Sequence, residues 1–140
     1  MWCDSKDAIK SYKAVVMNGP SSDMIIVVAR TSGSQLDTKG LTLLLVDPEL
    51  NGVSMRNYST VDGSKASEVT LESVKVSSNN ILGKENEAFE PLEEVIDMAT
   101  LAISAEAVGI MEKMNEITLE YTKTREQFGT PIGKFQVLQH

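Results

Sequence analysis

Between Pro91 and Gly129 the chain carries no proline and only one glycine, Gly109, in a run rich in Ala, Glu, Met, Leu and Ile. Residues of this kind have few competitors to a continuous helix, because they lose little side-chain freedom in it and none breaks its hydrogen-bond ladder. Leu92, Val95, Ile96, Ala99, Ala102, Ile103, Ala107, Ile110, Met111, Met114 and Ile117 recur at three- and four-residue steps and so share one face. Pro91 suits a first helical turn, and Glu93 and Glu94 stand near the positive end of the helix dipole. The pattern predicts a helix of roughly 34 residues, about 50 Å long. A domain of 140 residues cannot cover such a length, so the polypeptide reads as truncated. Gly109 in mid-helix costs ~1 kcal/mol against alanine and marks a close helix packing. Met111 and Met114 read as core filler.

Upstream of Gly83 the texture is different. Asn18-Gly19-Pro20, Ser32-Gly33-Ser34, Lys39-Gly40, Asp47-Pro48, Asn51-Gly52 and Asp62-Gly63 punctuate short apolar runs. The runs Ala14–Met17, Met24–Arg30, Leu41–Val46, Val53–Tyr58 and Ser67–Val76 are β-branched or alternating, as antiparallel strands require. The first enters from Ile9 with no upstream structure to pair with. In the last, the alternation slips near Ser73-Val74, which predicts a bulge or bend. Ser21-Ser22-Asp23 reads as a link between two strands rather than a phosphate turn. The fold class is therefore α+β: an antiparallel β-barrel-like domain over 1–83, then the first long helix of an α-helical bundle over 84–140. Gly129-Thr130-Pro131-Ile132-Gly133 stops that helix, and Lys134–His140 begins a second helical pattern.

Charge and composition narrow the function. Residues 84–140 carry 11 acids against 5 bases, so most of the net charge of -7 belongs to the helical part. That balance repels phosphate backbones and anionic lipid, and argues against nucleic acid as a partner. The one cysteine, Cys3, cannot form an internal disulfide. With His140 as the one histidine, neither a Cys/His zinc site nor an internal Ser-His-Asp arrangement is available. No apolar stretch approaches the ~20 residues of a membrane span. Asp4 and Asp7 stand where a signal peptide would be basic, so the expected compartment is the cytoplasm.

The most specific string is Tyr121-x3-Arg125-Glu126-Gln127-Phe128-Gly129-Thr130-Pro131-Ile132-x2-Phe135-Gln136-x2-Gln139. A planar fork of donors at a helix end suits a pyrophosphate, and Arg125 is one of only three arginines in an acidic chain. Gln136 and Gln139, three apart, would share a face of the next helix, available to a ribose, an adenine or a backbone. A second reading stands beside this one: Arg125 pairs with Glu120 or Glu126, while Phe128 and Phe135 are core.

These residues resemble the signature that opens the C-terminal helical domain of the acyl-CoA dehydrogenase family. Lys13–Gly19 with Ser22-Asp23 is similar to a strand and turn of that family's middle β-domain. Val74-Lys75-Val76 with Asn80–Gly83 is similar to its exit. Within the family, Ala14–Gly19 and Ile132–His140 most resemble the small-subunit type of pimeloyl-CoA dehydrogenase. The resemblance implies an FAD enzyme that removes hydrogens from the α and β carbons of an acyl-CoA thioester. A carboxylate takes the α proton, flavin takes the β hydride, and an electron-transfer flavoprotein reoxidises the flavin. It implies a homo- or hetero-oligomer, dimer or tetramer, in which Arg125, Gln127, Phe128, Phe135 and Gln136 reach the FAD of a neighbouring subunit.

Departures from the family pattern are equally specific. Where many members carry Trp-x-Thr against the flavin, this chain has Val15-Val16-Met17, leaving backbone donors at Met17 as the candidate contact. The positions of an alternative catalytic glutamate and its neighbouring arginine are Ala99 and Thr100. The more common catalytic glutamate belongs to a later helical region that this chain does not include, so no catalytic residue is assigned. Asp97 matches a position lining the acyl-CoA pocket, and it reads equally as a solvated helix carboxylate. Two rival functions remain: an acyl-CoA oxidase, and a non-enzymatic module whose exposed helix stripe binds a partner.

Overall fold

A computed structural model describes residues 8–139, so Cys3 and His140, like Trp2, Asp4 and Asp7, lie outside the described residues. The chain divides into two compact units, Met1–Glu93 and Glu94–His140. Among the described residues the first holds six strands: β1 (Ile9–Met17), β2 (Ile25–Arg30), β3 (Leu41–Val46), β4 (Val53–Ser59), β5 (Lys65–Val74) and β6 (Ile81–Leu82). They form two antiparallel three-stranded sheets, ordered β1-β5-β4 and β2-β3-β6. No strand is shared between the two sheets, so the barrel-like expectation resolves into two sheets over a common core rather than a closed ring.

That core follows from alternation that is strict in β2 and β3. Ile25, Val27 and Ala29 of β2 and Leu44 and Val46 of β3 point inward, where they join Ile9 of β1 and Val69, Leu71 and Val74 of β5. Val27, Val46, Val69, Leu71 and Val74 are all at most 1% exposed. Each such side chain stabilises the fold by roughly 1.5–3 kcal/mol relative to leaving it in water.

Two irregularities reshape the β1–β5 pairing. Ile9 faces Val74 but Ser11 faces Leu71, an extra residue on β5 where Ser73 has φ 55, which is the slip read from the sequence. Further on, Lys13 faces Val69 but Val16 faces Ser67, an extra residue on β1. Here Val15 holds φ 53, a region that a β-branched side chain strongly resists. Lys13, beside it, donates from Nζ to the Val28 carbonyl at 3.2 Å, and its partial burial pushes the ammonium pKa down.

Two close approaches fix the loops. Gly19 is buried against Ser67, and a Cβ added there would lie 2.6 Å from Ser67 Oγ. Ser67, itself fully buried, donates to Asn57 Oδ1 at 2.7 Å. The second is built around Thr42, a buried hydroxyl on an otherwise apolar face. Its Oγ1 accepts the Asn86 N–H at 2.9 Å and lies 2.6 Å from Thr31 Oγ1. Asn86 Oδ1 accepts from Thr31 Oγ1 at 2.9 Å and Ser32 Oγ at 2.6 Å, and the Asn86 carbonyl accepts the Gly40 N–H at 2.9 Å. With Ala88 N–H donating to the Leu41 carbonyl at 2.9 Å, this network sets where the following helix begins.

That helix, α1, runs Phe89–Thr124, 36 residues, starting two residues before the sequence expectation. No residue of α1 is buried, and Val95, Ile103, Met114 and Ile117 of the apolar stripe are all more than half exposed. Beyond the helix's own backbone, nothing among the described residues lies within 4 Å of a Cβ placed on Gly109, so they supply no partner for the packing expected there. No helix among the described residues is long and apolar enough to cross a membrane.

Candidate functional site

The second unit carries the signature residues, and their arrangement differs from the one the sequence suggests. α1 ends at Thr124, short of the glycine that was expected to stop it. The Arg125 N–H makes the last helical bond, to the Tyr121 carbonyl at 2.8 Å. β7 (Glu126–Gln127) and β8 (Thr130–Pro131) then form a small hairpin, with Gln127 opposite Thr130. Its two-residue tip is Phe128-Gly129, at φ 55 and φ 74. Positive φ at both tip positions marks the primed turn that suits strand twist, a place usually taken by Asn-Gly or Gly-Gly. Phenylalanine there costs on the order of 1–2 kcal/mol.

The hairpin returns to the helix end. Ile132 N–H donates to the Arg125 carbonyl at 2.8 Å, and a Cβ on Gly133 would lie 3.0 Å from the Thr122 carbonyl oxygen. In place of the second helix expected from Lys134, the described residues form two single 3-10 turns, Ile132–Lys134 and Gln136–Leu138. Phe135, extended at φ -72 and ψ 124, separates the two turns. Gln139 consequently serves the turn itself, its Nε2 donating to the Gly133 carbonyl at 3.1 Å. Gln136 stays exposed, with no side-chain hydrogen bond among the described residues.

The local-pairing alternative for Arg125 fails on geometry. Glu120 is bonded to Lys123 at 2.7 Å, and Glu126 forms no ion pair among the described residues. Arg125 is exposed and its guanidinium has no partner there. The other two arginines are engaged: Arg30 donates to the carbonyls of Ser32, Asp37 and Lys39, and Arg56 binds Glu68 at 2.8 Å. Phe128 is 94% exposed, so it is not core either. Its ring meets that of half-buried Phe135 edge to face, centroids 6.3 Å apart. Gln127 donates from Nε2 to the Glu126 carbonyl at 2.8 Å. One turn of chain therefore gathers an unpaired guanidinium, an exposed ring and two glutamines.

The remaining candidates stand elsewhere. Met17 closes β1 opposite Ala66, its side chain 58% exposed, in the first unit. Asp97 is an exposed α1 carboxylate. In α1, Thr100 Oγ1 donates to the Ile96 carbonyl at 2.8 Å and Ser104 Oγ to the Thr100 carbonyl at 2.7 Å, local bonds that leave no acid or base in that stretch besides Asp97 and Glu106.

The first unit also holds a feature that sequence reasoning missed, an open cavity of about 880 Å³ lined by Ser32, Thr38, Lys39, Lys84, Asn86 and Phe89, among others. Lys84 is paired with Glu87 at 3.5 Å, and Glu85, Glu87 and Glu90 outnumber the two lysines, so local charge does not favour an anion there. Its lining comes from segments far apart in the chain, which no local motif reveals.

Comparison with known proteins agrees with this reading of the fold. Residues 89–140 match the family model of the acyl-CoA dehydrogenase C-terminal domain. A 3-(aryl)acrylate reductase of Clostridium sporogenes is 35% identical over 94% of this chain and 35% of its own length. A mitochondrial 2-methylacyl-CoA dehydrogenase of Solanum tuberosum is 34% identical over 97% of this chain and 34% of its own length. Among solved structures, butyryl-CoA dehydrogenase from Megasphaera elsdenii superposes with a TM-score of 0.78 at 29% identity, over 94% of this chain and 35% of that one. The chain belongs to the acyl-CoA dehydrogenase family, and it spans about a third of the length of the curated relatives it matches.

Proposed function

We propose that the protein carrying this chain is an FAD-dependent acyl-CoA dehydrogenase, to which these residues contribute part of the middle β-domain and the start of the helical domain. The carrying observation is Arg125: in an acidic unit its guanidinium has no partner among the described residues, held at a helix end beside an exposed aromatic ring. A nucleotide diphosphate is a dianion flanked by flat rings, so the charge and the aromatic surface on this turn fit it. Gln127 and Gln136 supply donors and acceptors, and the strained tip holds Phe128 outward. Bound FAD supplies the hydride acceptor for the β carbon of an acyl-CoA thioester.

No carboxylate of this chain is assigned the α-proton abstraction. Asp97 is proposed as a pocket-lining residue and Met17 as a backbone contact to the cofactor. The exposed α1 stripe supports assembly with further helices or subunits, in a dimer or tetramer. Electron-transfer flavoprotein is the proposed electron acceptor, by resemblance to the family.

The test is Arg125→Gln in the full-length protein. Flavin content, read from the visible absorbance of the purified protein, is expected to fall while the thermal midpoint without added flavin stays unchanged. Full flavin retention by the variant would overturn the proposal.

A further inference from the structure

We infer that Asn51 is a site of spontaneous deamidation in the folded protein, and that the fold protects the chain's other Asn-Gly step, Asn18-Gly19, from the same reaction. Asparagine before glycine is labile because glycine leaves its peptide nitrogen accessible. The Gly52 nitrogen attacks Cγ of Asn51, its proton passes to solvent, a C–N bond closes a succinimide, and the side-chain amide leaves as ammonia. Water then opens either C–N bond of the ring, giving aspartate or isoaspartate.

Asn51 and Gly52 are both exposed. Among the described residues no hydrogen bond holds the Asn51 side chain, and the Gly52 N–H donates to nothing in the turns and loops. The Asn51 side chain and the Gly52 nitrogen are thus both unbonded and open to solvent, although Val53 N–H closes the turn onto the Leu50 carbonyl at 3.0 Å. The glycine is itself demanded by the fold: Gly52 has φ +92, and a Cβ there would lie 2.2 Å from the Glu72 carbonyl oxygen. The liability therefore can be removed only at Asn51.

Asn18-Gly19 has the same sequence and the opposite setting. Gly19 is buried against Ser67. The Asn18 N–H donates to the Lys65 carbonyl at 2.9 Å, and the Asn18 carbonyl accepts from Ser21 N–H at 3.0 Å and Ser22 Oγ at 2.9 Å. Ring closure requires the backbone at Asn18 to rotate, which these bonds and the buried glycine oppose.

Isoaspartate at 51 would insert a methylene into the backbone beside the Gly52 carbonyl, which accepts the Glu72 N–H at 2.8 Å. The entry of β4, where Val53 faces Leu71, would be displaced. The test incubates the purified protein at mildly alkaline pH, native and in urea, then digests it with trypsin. The two steps fall in separate peptides, Gly40–Arg56 and Ala14–Arg30. In the native protein the Gly40–Arg56 peptide is expected to gain the mass of an amide-to-acid change and to split chromatographically into aspartate and isoaspartate forms. Ala14–Arg30 is expected to change only in urea, and Asn51→Ser to abolish the change in its own peptide. Equal native rates at the two steps, or an unmodified Asn51, would overturn the inference.

Discussion

The ring of Phe128 meets Phe135 edge to face at 6.3 Å while remaining 94% exposed. A side chain held so openly on a backbone at φ 55 is doing something other than filling a core. Phe128→Gly is expected to relieve the left-handed strain and leave stability unchanged or raised by about 1 kcal/mol. In the full-length protein it is expected to speed flavin loss. Urea midpoints and the dissociation rate of bound flavin check the two halves separately. A variant both less stable and normal in flavin retention contradicts this account.

Asn86 gives a sharper test of the fold. Its side chain acts through Oδ1 as an acceptor from Thr31 and Ser32, a function that a carboxylate preserves. Asn86→Asp is expected to remain near wild-type stability. Asn86→Ala loses both bonds and strains a position at φ 66, at a cost of about 2–3 kcal/mol. Chemical denaturation of the two variants compares them directly, and equal losses would mean that the acceptor is not what matters.

Gly19→Ala would place a methyl 2.6 Å from Ser67 Oγ, and is expected to destabilise by about 1–3 kcal/mol. Ser67→Gly in the same chain removes the obstructing atoms. The double variant should therefore lose less than the sum of the single changes, a coupling that a double-mutant cycle measures. Strict additivity would show that the clash is relieved elsewhere.

On the outer face of the β1-β5-β4 sheet, Arg56 Nε and Nη2 both bond Glu68, and Arg56 lies over the Tyr58 ring at 5.9 Å. Hydrogen bonds from Arg56 and then Tyr12 hold the Glu68 carboxyl below its ordinary value of 4.5. A depressed carboxyl pKa stabilises the fold above the unfolded value, and that contribution is lost as pH falls through the folded one. The stability gap between wild type and Glu68→Gln is expected to be constant near neutrality and to close below about pH 4.5. Denaturant titrations across the acid limb check it, and a gap that widens with acid has the wrong sign.

What the sequence discloses depends on how local the cause is. β3 lies where its apolar run does, Leu41–Val46, because alternation and flanking turn residues are written in consecutive positions. The start of α1 falls two residues before Pro91, within the fraying of a first turn. Its end is displaced further because Gly129 looks like a helix stop, whereas it is half of a hairpin tip whose other half is phenylalanine. Arg125 is legible from its motif, but its freedom from Glu120 is not, since that depends on Lys123 claiming the carboxylate first. The bulge at Ser73 leaves a break in alternation, while the one at Val15 falls in an apolar run with no phase to break. The Asn86 network joins residues more than forty positions apart, beyond any local pattern.

The strand order β1-β5-β4 also sets a folding sequence. β4 and β5 are joined by a tight loop, in which Thr60 N–H donates to the Ser64 carbonyl at 2.9 Å, so they zip together as a local hairpin. β1 must instead search for the free edge of β5 across everything between them, and then settle two bulges in register. Closing that large loop is the slow event. Until it happens, the middle strand of the module presents an open edge to any other chain nearby.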